Sequence, residues 1–235
     1  MIVDDGSTDG TESLITSLAD SRIVYIKQSN QGQNAARNTG VEHASSTWLA
    51  FHDSDDQMLP HKLSTVFAKI RELEQTYGPC EERLAVFHPY TRVDEDTQSE
   101  PVIIPQALVT RFPDGFDNMR GSFDQMEILL GNFISSQTLV IGRKSLHDIG
   151  GWNESLRRYT DWELAIRIAD SLKMSFINEP LVDVFVQPDS ASHSVEQGHI
   201  ARQSIFNMHR QLYRKNPAKY LRQWLRIKYR SLINR

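Results

Sequence analysis

Short runs of β-branched and aromatic residues alternate along this chain with stretches whose apolar residues recur at helical spacing, and no other feature restricts the fold as tightly. Met1-Ile2-Val3 reads as the end of a strand running into the polar, glycine-punctuated turn Asp4-Asp5-Gly6-Ser7-Thr8-Asp9-Gly10. A helix follows to about Ala19, with Leu14, Ile15 and Leu18 on one face. Further strands are predicted at residues 22–26, 48–51, 84–93, 137–141, 174–177 and 181–186, and helices at 34–43, 123–130, 143–149 and 161–172. Pro60 is placed to open another helix, in which Leu63, Val66, Phe67, Ile70 and Leu73 keep helical spacing. Residues 94–121 are rich in turn formers, and the chain from about Val195 reads as helical with a break near Asn216-Pro217. Such alternation predicts an α/β fold whose parallel or mixed central sheet is flanked by helices on both faces.

At 235 residues the chain is long enough to bury roughly 70% of its unfolded surface. No stretch approaches the roughly 18 apolar residues of a membrane-spanning helix. Cys80 is the only cysteine, which excludes an internal disulfide framework and a cysteine-based zinc site. The N-terminus lacks the basic segment and apolar run of a secretory signal, so a cytoplasmic location is expected. The net charge of −4 is unevenly spread. Residues 200–235 carry ten Lys and Arg and no acid, leaving 16 basic residues against all 30 acidic ones before them. An acidic body with a basic tail argues against a nucleic-acid binder, whose basic patch lies on the folded face.

Two acidic clusters fall where ligands bind in open α/β sheets, beyond the carboxyl ends of strands: Asp4-Asp5 and Asp53-Ser54-Asp55-Asp56. Packed carboxylates repel one another unless a cation or a hydrogen-bonding partner intervenes. In extended backbone the two acids of an Asp-x-Asp point the same way and can offer oxygens to Mg²⁺ or Mn²⁺. Acids after a strand are also turn formers and helix caps, so both readings stand at this point.

Three segments in order, Asp4-Asp5-Gly6-Ser7-Thr8-Asp9-Gly10-Thr11, Gln31-Gly32-Gln33-Asn34-Ala35-Ala36-Arg37-Asn38-Thr39-Gly40 and Phe51-His52-Asp53-Ser54-Asp55-Asp56, resemble the nucleotide-binding half of the family 2 glycosyltransferases, inverting enzymes of GT-A fold. Gly150-Gly151-Trp152-Asn153-Glu154, then Tyr159-Thr160-Asp161-Trp162-Glu163-Leu164 and Arg167, resemble the acceptor half. The resemblance implies a GT-A-like nucleotide-diphospho-sugar transferase domain over residues 1–193. Its nucleotide-binding half would span 1–93 and its acceptor half 94–193, followed by a basic helical tail over 194–235. It further implies that Asp5, with Asp4 beside it, meets the nucleotide base, and that Arg37 lies near the nucleotide. Asp53 and Asp55 would hold Mg²⁺ or Mn²⁺ and the donor ribose with support from Asp56, and Asp161 would be the catalytic base. The implied partners are a nucleotide-sugar donor, with a UDP-sugar foremost, and a glycan or lipid-linked acceptor in cell-surface polysaccharide or glycan synthesis. No nucleic-acid partner is implied.

The chemistry suits these residues. Loss of a nucleoside diphosphate develops charge on phosphate oxygens, which a divalent cation stabilises as a Lewis acid, and one carboxylate takes the proton of the attacking hydroxyl. Three features depart from the family pattern. The chain opens inside what is usually the second strand, so a reduced sheet edge and nucleotide pocket are expected. Thr160 replaces the acid that often precedes the base, and Val184-Phe185-Val186-Gln187 replaces a Tyr-Arg-x-His segment ahead of Pro188-Asp189-Ser190-Ala191-Ser192. A second reading is therefore a non-catalytic module that holds a nucleotide or glycan. The lack of a Gly-x-Gly-x-x-Gly turn after a strand weighs against a dinucleotide-dependent oxidoreductase.

Other residues carry two readings each. Arg37 reads otherwise as a helix-surface cation, and Asp161 as a helix N-cap. Trp152 and Trp162 could stack on a sugar or pack in the core. His52, His61 and His88 lack metal-ligand spacing, and His193 reads as a surface-loop residue. The tail mixes Lys and Arg with Leu212, Tyr213, Tyr220, Leu221, Trp224, Leu225, Ile227, Tyr229 and Leu232. It suits either a peripheral contact with the inner face of a membrane or packing onto the acidic body.

Overall fold

The computed structural model describes residues 1–93, 100–102, 116–117, 134–185, 195–215 and 217–233. The chain runs β1 (Ile2–Asp4), α1 (Thr11–Ser17), β2 (Tyr25–Lys27), α2 (Gln33–His43), β3 (Trp48–Ala50), the short β4 (Gln57–Met58) and α3 (Lys62–Tyr77). It continues through β5 (Leu84–Phe87), β6 (Tyr90–Val93), β7 (Glu100–Val102) and β8 (Phe116–Asp117). A 3-10 turn at Ser136–Thr138 leads into β9 (Leu139–Gly142), α4 (Arg143–Asp148), α5 (Thr160–Ser171), β10 (Lys173–Phe176) and β11 (Val182–Phe185). Three helices follow: α6 (Val195–Met208), α7 (Arg210–Arg214) and α8 (Pro217–Ile233). The helix predicted at 123–130 lies outside the described residues.

The segment 84–93 is two strands rather than one. Pro89 has no N–H to give a ladder, and at His88-Pro89 the chain leaves one sheet for another. β5 joins the five-stranded sheet β3-β9-β5-β10-β8, in which β5 and β10 are parallel and the other neighbours antiparallel. β6 joins the four-stranded sheet β4-β11-β6-β7, and β1 pairs with β2 in parallel as a separate ribbon.

The five-stranded sheet is covered on both faces, as alternation of side chains along a strand requires. Ala85, Phe87, Leu139, Ile141, Met174 and Phe176 join the cluster with α5 and the tail. Leu84, Val86 and Val140 point the other way and join Val66, Ile70 and Leu73 of α3. A strand buried on both faces reads as a continuous apolar run, which β5 and β9 both are.

The two ends of the chain differ. No residue of α1 is buried, and Leu14 within it and Leu18 just after it are 63% and 55% exposed. The tail packs onto the body: Tyr213 and Ile227 lie in the main core, and Phe206 contacts the Tyr213 and Tyr220 rings at 5.0 and 5.3 Å. The opposite side of α8 leaves Leu221, Trp224 and Leu225 exposed. No helix among the described residues is long and apolar enough to cross a membrane.

Candidate active site

The first acidic cluster closes the β1–α1 turn. The Asp4 carboxylate accepts hydrogen bonds from the Tyr25 hydroxyl and from the Ser7 N–H at 2.7 Å, and these hold it at a pKa of about 2. Asp5 accepts from the Gln31 N–H at 2.9 Å, the Gln28 amide at 2.8 Å and the Gly32 N–H at 2.7 Å. Burial works against the charged form of Asp5, but these three donors outweigh it and lower its pKa. Gly32 has φ 97°, which glycine alone adopts without strain. A Cβ there would also lie 2.7 Å from the Arg157 guanidinium.

Gly32 immediately precedes α2, which carries Arg37 toward the second cluster about 7.5 Å further along the axis. Arg37 Nη2 donates to both Asp53 oxygens, at 2.8 and 3.1 Å, and to Ser136 Oγ at 3.0 Å. Its guanidinium lies 4.7 Å from the centre of the Trp152 ring. With its side chain only 12% exposed, Arg37 is not a helix-surface cation. One helix thus ties the Asp5 loop to Asp53.

Asp53, Asp55 and Asp56 follow β3, and the 3-10 turn before β9 meets them from its side. Ser136 Oγ approaches Asp53 at 3.4 Å, and the Gln137 amide donates to Asp56. Asp56 also accepts from the Phe185 N–H at 3.2 Å. Burial raises the Asp56 pKa, the Gln137 bond lowers it, and the charges of Asp55 and Asp53 raise it further. Asp55 is exposed.

Asp161 is the second residue of α5 and not its N-cap; Tyr159, at φ 55°, holds that position. The Asp161 carboxylate accepts from the Trp162 N–H at 3.0 Å. Tyr90, where β6 begins, feels the charge of Asp161 and of Asp56 in the second cluster. Burial raises the Tyr90 phenol, Asp161 pushes it higher, Arg92 draws it back, and Asp56 raises it again. Tyr90 therefore lies within the fields of both carboxylates. Glu163, two residues on, serves another purpose: it is buried and accepts from Arg167 at 2.7 and 2.9 Å, beside His209 Nε2 at 3.0 Å. Burial opposes its charge, but His209 and Arg167 lower its pKa.

Trp152 and Trp162 are 2% and 1% exposed, so both pack in the core and the sugar-platform reading fails. His52 Nε2 lies 3.1 Å from the Asp56 carbonyl, His61 pairs with Glu179, and His88 is buried. His193 lies outside the described residues, as does Gln187. The motifs did not single out Ser136, Gln137 or Tyr90. The signal for the first two was the polar run Ser135-Ser136-Gln137-Thr138 directly before an apolar strand.

No three His, Cys, Asp or Glu among the described residues gather into a metal cage. The donor set instead fits a hard cation held by one or two carboxylates and completed by substrate phosphates, the usual state of Mg²⁺ beside a nucleotide. Asp55 is the open carboxylate, and Asp53, 31% exposed at its side chain, adjoins it.

The family model for glycosyl transferase family 2 matches residues 1–148. The glycosyltransferase GlyA of Streptococcus pneumoniae is 40% identical over 76 residues, covering 32% of this chain and 11% of that protein. The GalNAc(5)-diNAcBac-PP-undecaprenol beta-1,3-glucosyltransferase of Campylobacter jejuni is 36% identical over 85 residues, 34% of this chain and 28% of that one. The crystal structure of S. aureus TarS 1-349 in complex with UDP-GlcNAc superposes with a TM-score of 0.63 at 17% identity, covering 87% of this chain and 56% of that fragment. The chain thus spans a minor part of the first two proteins, about half of the TarS 1-349 fragment and 32% of the longer TarS structure. At that identity the likeness to TarS establishes the fold, which is GT-A. A family match over more than half of the residues, on that fold, makes this chain a member of glycosyl transferase family 2.

Proposed function

We propose that the protein transfers a sugar from a nucleotide-diphosphate donor, a UDP-sugar, to a hydroxyl of a glycan or lipid-linked acceptor, inverting the anomeric centre. The observation that carries this reading is the arrangement after β3: Asp53 is clamped by Arg37 and Ser136, Asp55 stands open, and Asp56 is held by the Gln137 amide and the Phe185 N–H. The solved TarS complex with UDP-GlcNAc supports the donor class, and the undecaprenol-linked acceptor in the Campylobacter enzyme's name supports the acceptor class.

Each residue then has a task. Asp5, fixed by three donors, meets the nucleotide base, while Asp4 shapes the turn beside it. Arg37 and Asp53 orient the ribose and the diphosphate side of the donor. Asp55, with Asp53, would hold Mg²⁺ or Mn²⁺, whose Lewis acidity offsets charge on the departing diphosphate. Asp56 keeps the loop in register through Gln137 and the Phe185 N–H. Asp161 takes the proton from the acceptor hydroxyl as that oxygen attacks the anomeric carbon. Attack from the face opposite the leaving group inverts the centre. A peripheral contact of the basic tail with an anionic membrane belongs to the same reading, supported by Leu221, Trp224 and Leu225 exposed on α8 beside Arg222, Arg226 and Lys228. The setting is cell-surface polysaccharide or glycan synthesis.

The test is release of UDP from UDP-GlcNAc and from other UDP-sugars by the purified chain, with and without Mn²⁺. Mn²⁺-dependent release that is lost on Asp55→Ala supports the reading. UDP binding without release from any UDP-sugar would leave the non-catalytic binding module in its place.

A further inference from the structure

Lys62 is the first residue of α3 and is completely buried. Isolated ammonium groups are costly to bury, so a lysine inside a protein needs a reason for being there. Its Nζ donates to the backbone carbonyl of Gln137 at 2.5 Å, across 75 residues of sequence. Among the described residues it forms no ion pair with a carboxylate, and burial draws its pKa down, to about 8. The group therefore stays largely protonated at neutral pH while losing its hydration.

The contact falls at a telling place. Gln137 is the central residue of the 3-10 turn, and both of its chemical faces are in use: the carbonyl takes the Lys62 ammonium from behind, and the side-chain amide reaches forward to Asp56. Its neighbour Ser136 meets Asp53 and Arg37. The turn is braced internally by a reciprocal pair between Ser135 and Thr138, N–H to Oγ1 at 3.1 Å and Oγ1 to carbonyl at 2.8 Å. Lys62 is thus joined to Asp53 and Asp56 through a single hydrogen-bonded turn.

We propose that Lys62 is a positioning residue for the donor site, which seats the Ser135–Thr138 turn so that Ser136 and Gln137 hold Asp53 and Asp56 in place. This rests on the assignment of the second acidic cluster to donor binding. A methionine of similar length separates positioning from plain core packing. Lys62→Met removes the buried charge and leaves the Gln137 carbonyl without its donor, two effects on stability that oppose each other. The variant therefore melts close to wild type while its turn loosens.

Two measurements on the full chain decide the matter. In hydrogen exchange without ligand, Lys62→Met accelerates exchange in peptides covering residues 52–57 and 134–139 and leaves those covering β10 unchanged. In calorimetry with UDP-GlcNAc and Mn²⁺, Lys62→Met and Gln137→Ala each weaken binding about tenfold, and the double variant binds no worse than the weaker single, because both act through one turn. Unchanged exchange at 52–57 and 134–139, or fully additive losses in the double variant, overturns the proposal. A wild-type chain that binds no UDP-sugar would refute the donor-site assignment instead, and the exchange result would still decide whether Lys62 seats the turn.

Discussion

The two acidic clusters look alike in the sequence and are built differently. Asp4 and Asp5 take partners from within 27 residues: Ser7, Tyr25, Gln28, Gln31 and Gly32. Asp53 and Asp56 take theirs from up to 129 residues away, at Arg37, Ser136, Gln137 and Phe185. The first cluster is satisfied by its own turn and the adjoining β2–α2 segment, and its carboxylates are lowered in pKa. The second is assembled only when four separate parts of the chain meet, and burial raises Asp56. A local cluster survives local unfolding elsewhere, whereas a non-local one reports on the whole fold.

Substitutions should pull the two clusters apart in graded steps. The largest effect is expected for Asp161→Asn: turnover falls by about 10²–10⁴, the contribution of a positioned base, with donor affinity kept, as steady-state kinetics beside calorimetry would show. Arg37→Ala comes next. Losing a charge-assisted bond of about 1.5–3 kcal/mol should weaken UDP-sugar binding roughly 10- to 100-fold, read by calorimetry. Asp5→Ala should be mildest, costing about 1–2 kcal/mol by urea unfolding, since the Gln31 and Gly32 N–H groups lose their acceptor near water. Its exchange changes should stay within the β1–α2 region. If they spread to β9, the clusters are not separable.

Acid should act between these extremes. His88 is buried where β5 gives way to β6, and burial holds its pKa at about 4, with Lys62 acting in the same direction. A folded-state value below the ordinary 6.5 means that the fold prefers the neutral ring. The stability tied to His88 is therefore complete above about pH 6.5 and is lost as pH falls toward 4, by about 3 kcal/mol in all. Urea unfolding at pH 7 and pH 4 should show that loss, and His88→Asn should reduce it.

Much of the fold was legible because its signals are local. The glycine turn after β1, the helical spacing of Val66, Ile70 and Leu73, and the apolar runs of β5 and β9 each declare themselves within a few residues. The split of 84–93 was also written there, in Pro89, but a run of apolar residues on both sides masked it. The helical break after α6 falls at His209 as well as before Pro217, with no proline to announce the first. At the candidate site, motif order singled out Arg37, Asp53 and Asp161. The ties made by Ser136, Gln137, Tyr90 and Lys62 were not visible, because each depends on a contact at least 75 residues long or on a field across the cleft. The exposed face of α1 shows the opposite failure: helical spacing identified its apolar side, and nothing in the described chain covers it.

The central claim is that the Asp53–Asp56 segment and Asp161 border one cleft around a nucleotide-bound cation. Paramagnetic broadening by Mn²⁺ in the presence of UDP tests it directly. The account predicts that amide resonances of residues 53–56, 90, 136–137 and 161–162 all lose intensity together, and that Asp55→Ala abolishes the effect. Broadening confined to residues 53–56, with 161–162 left sharp, would contradict it.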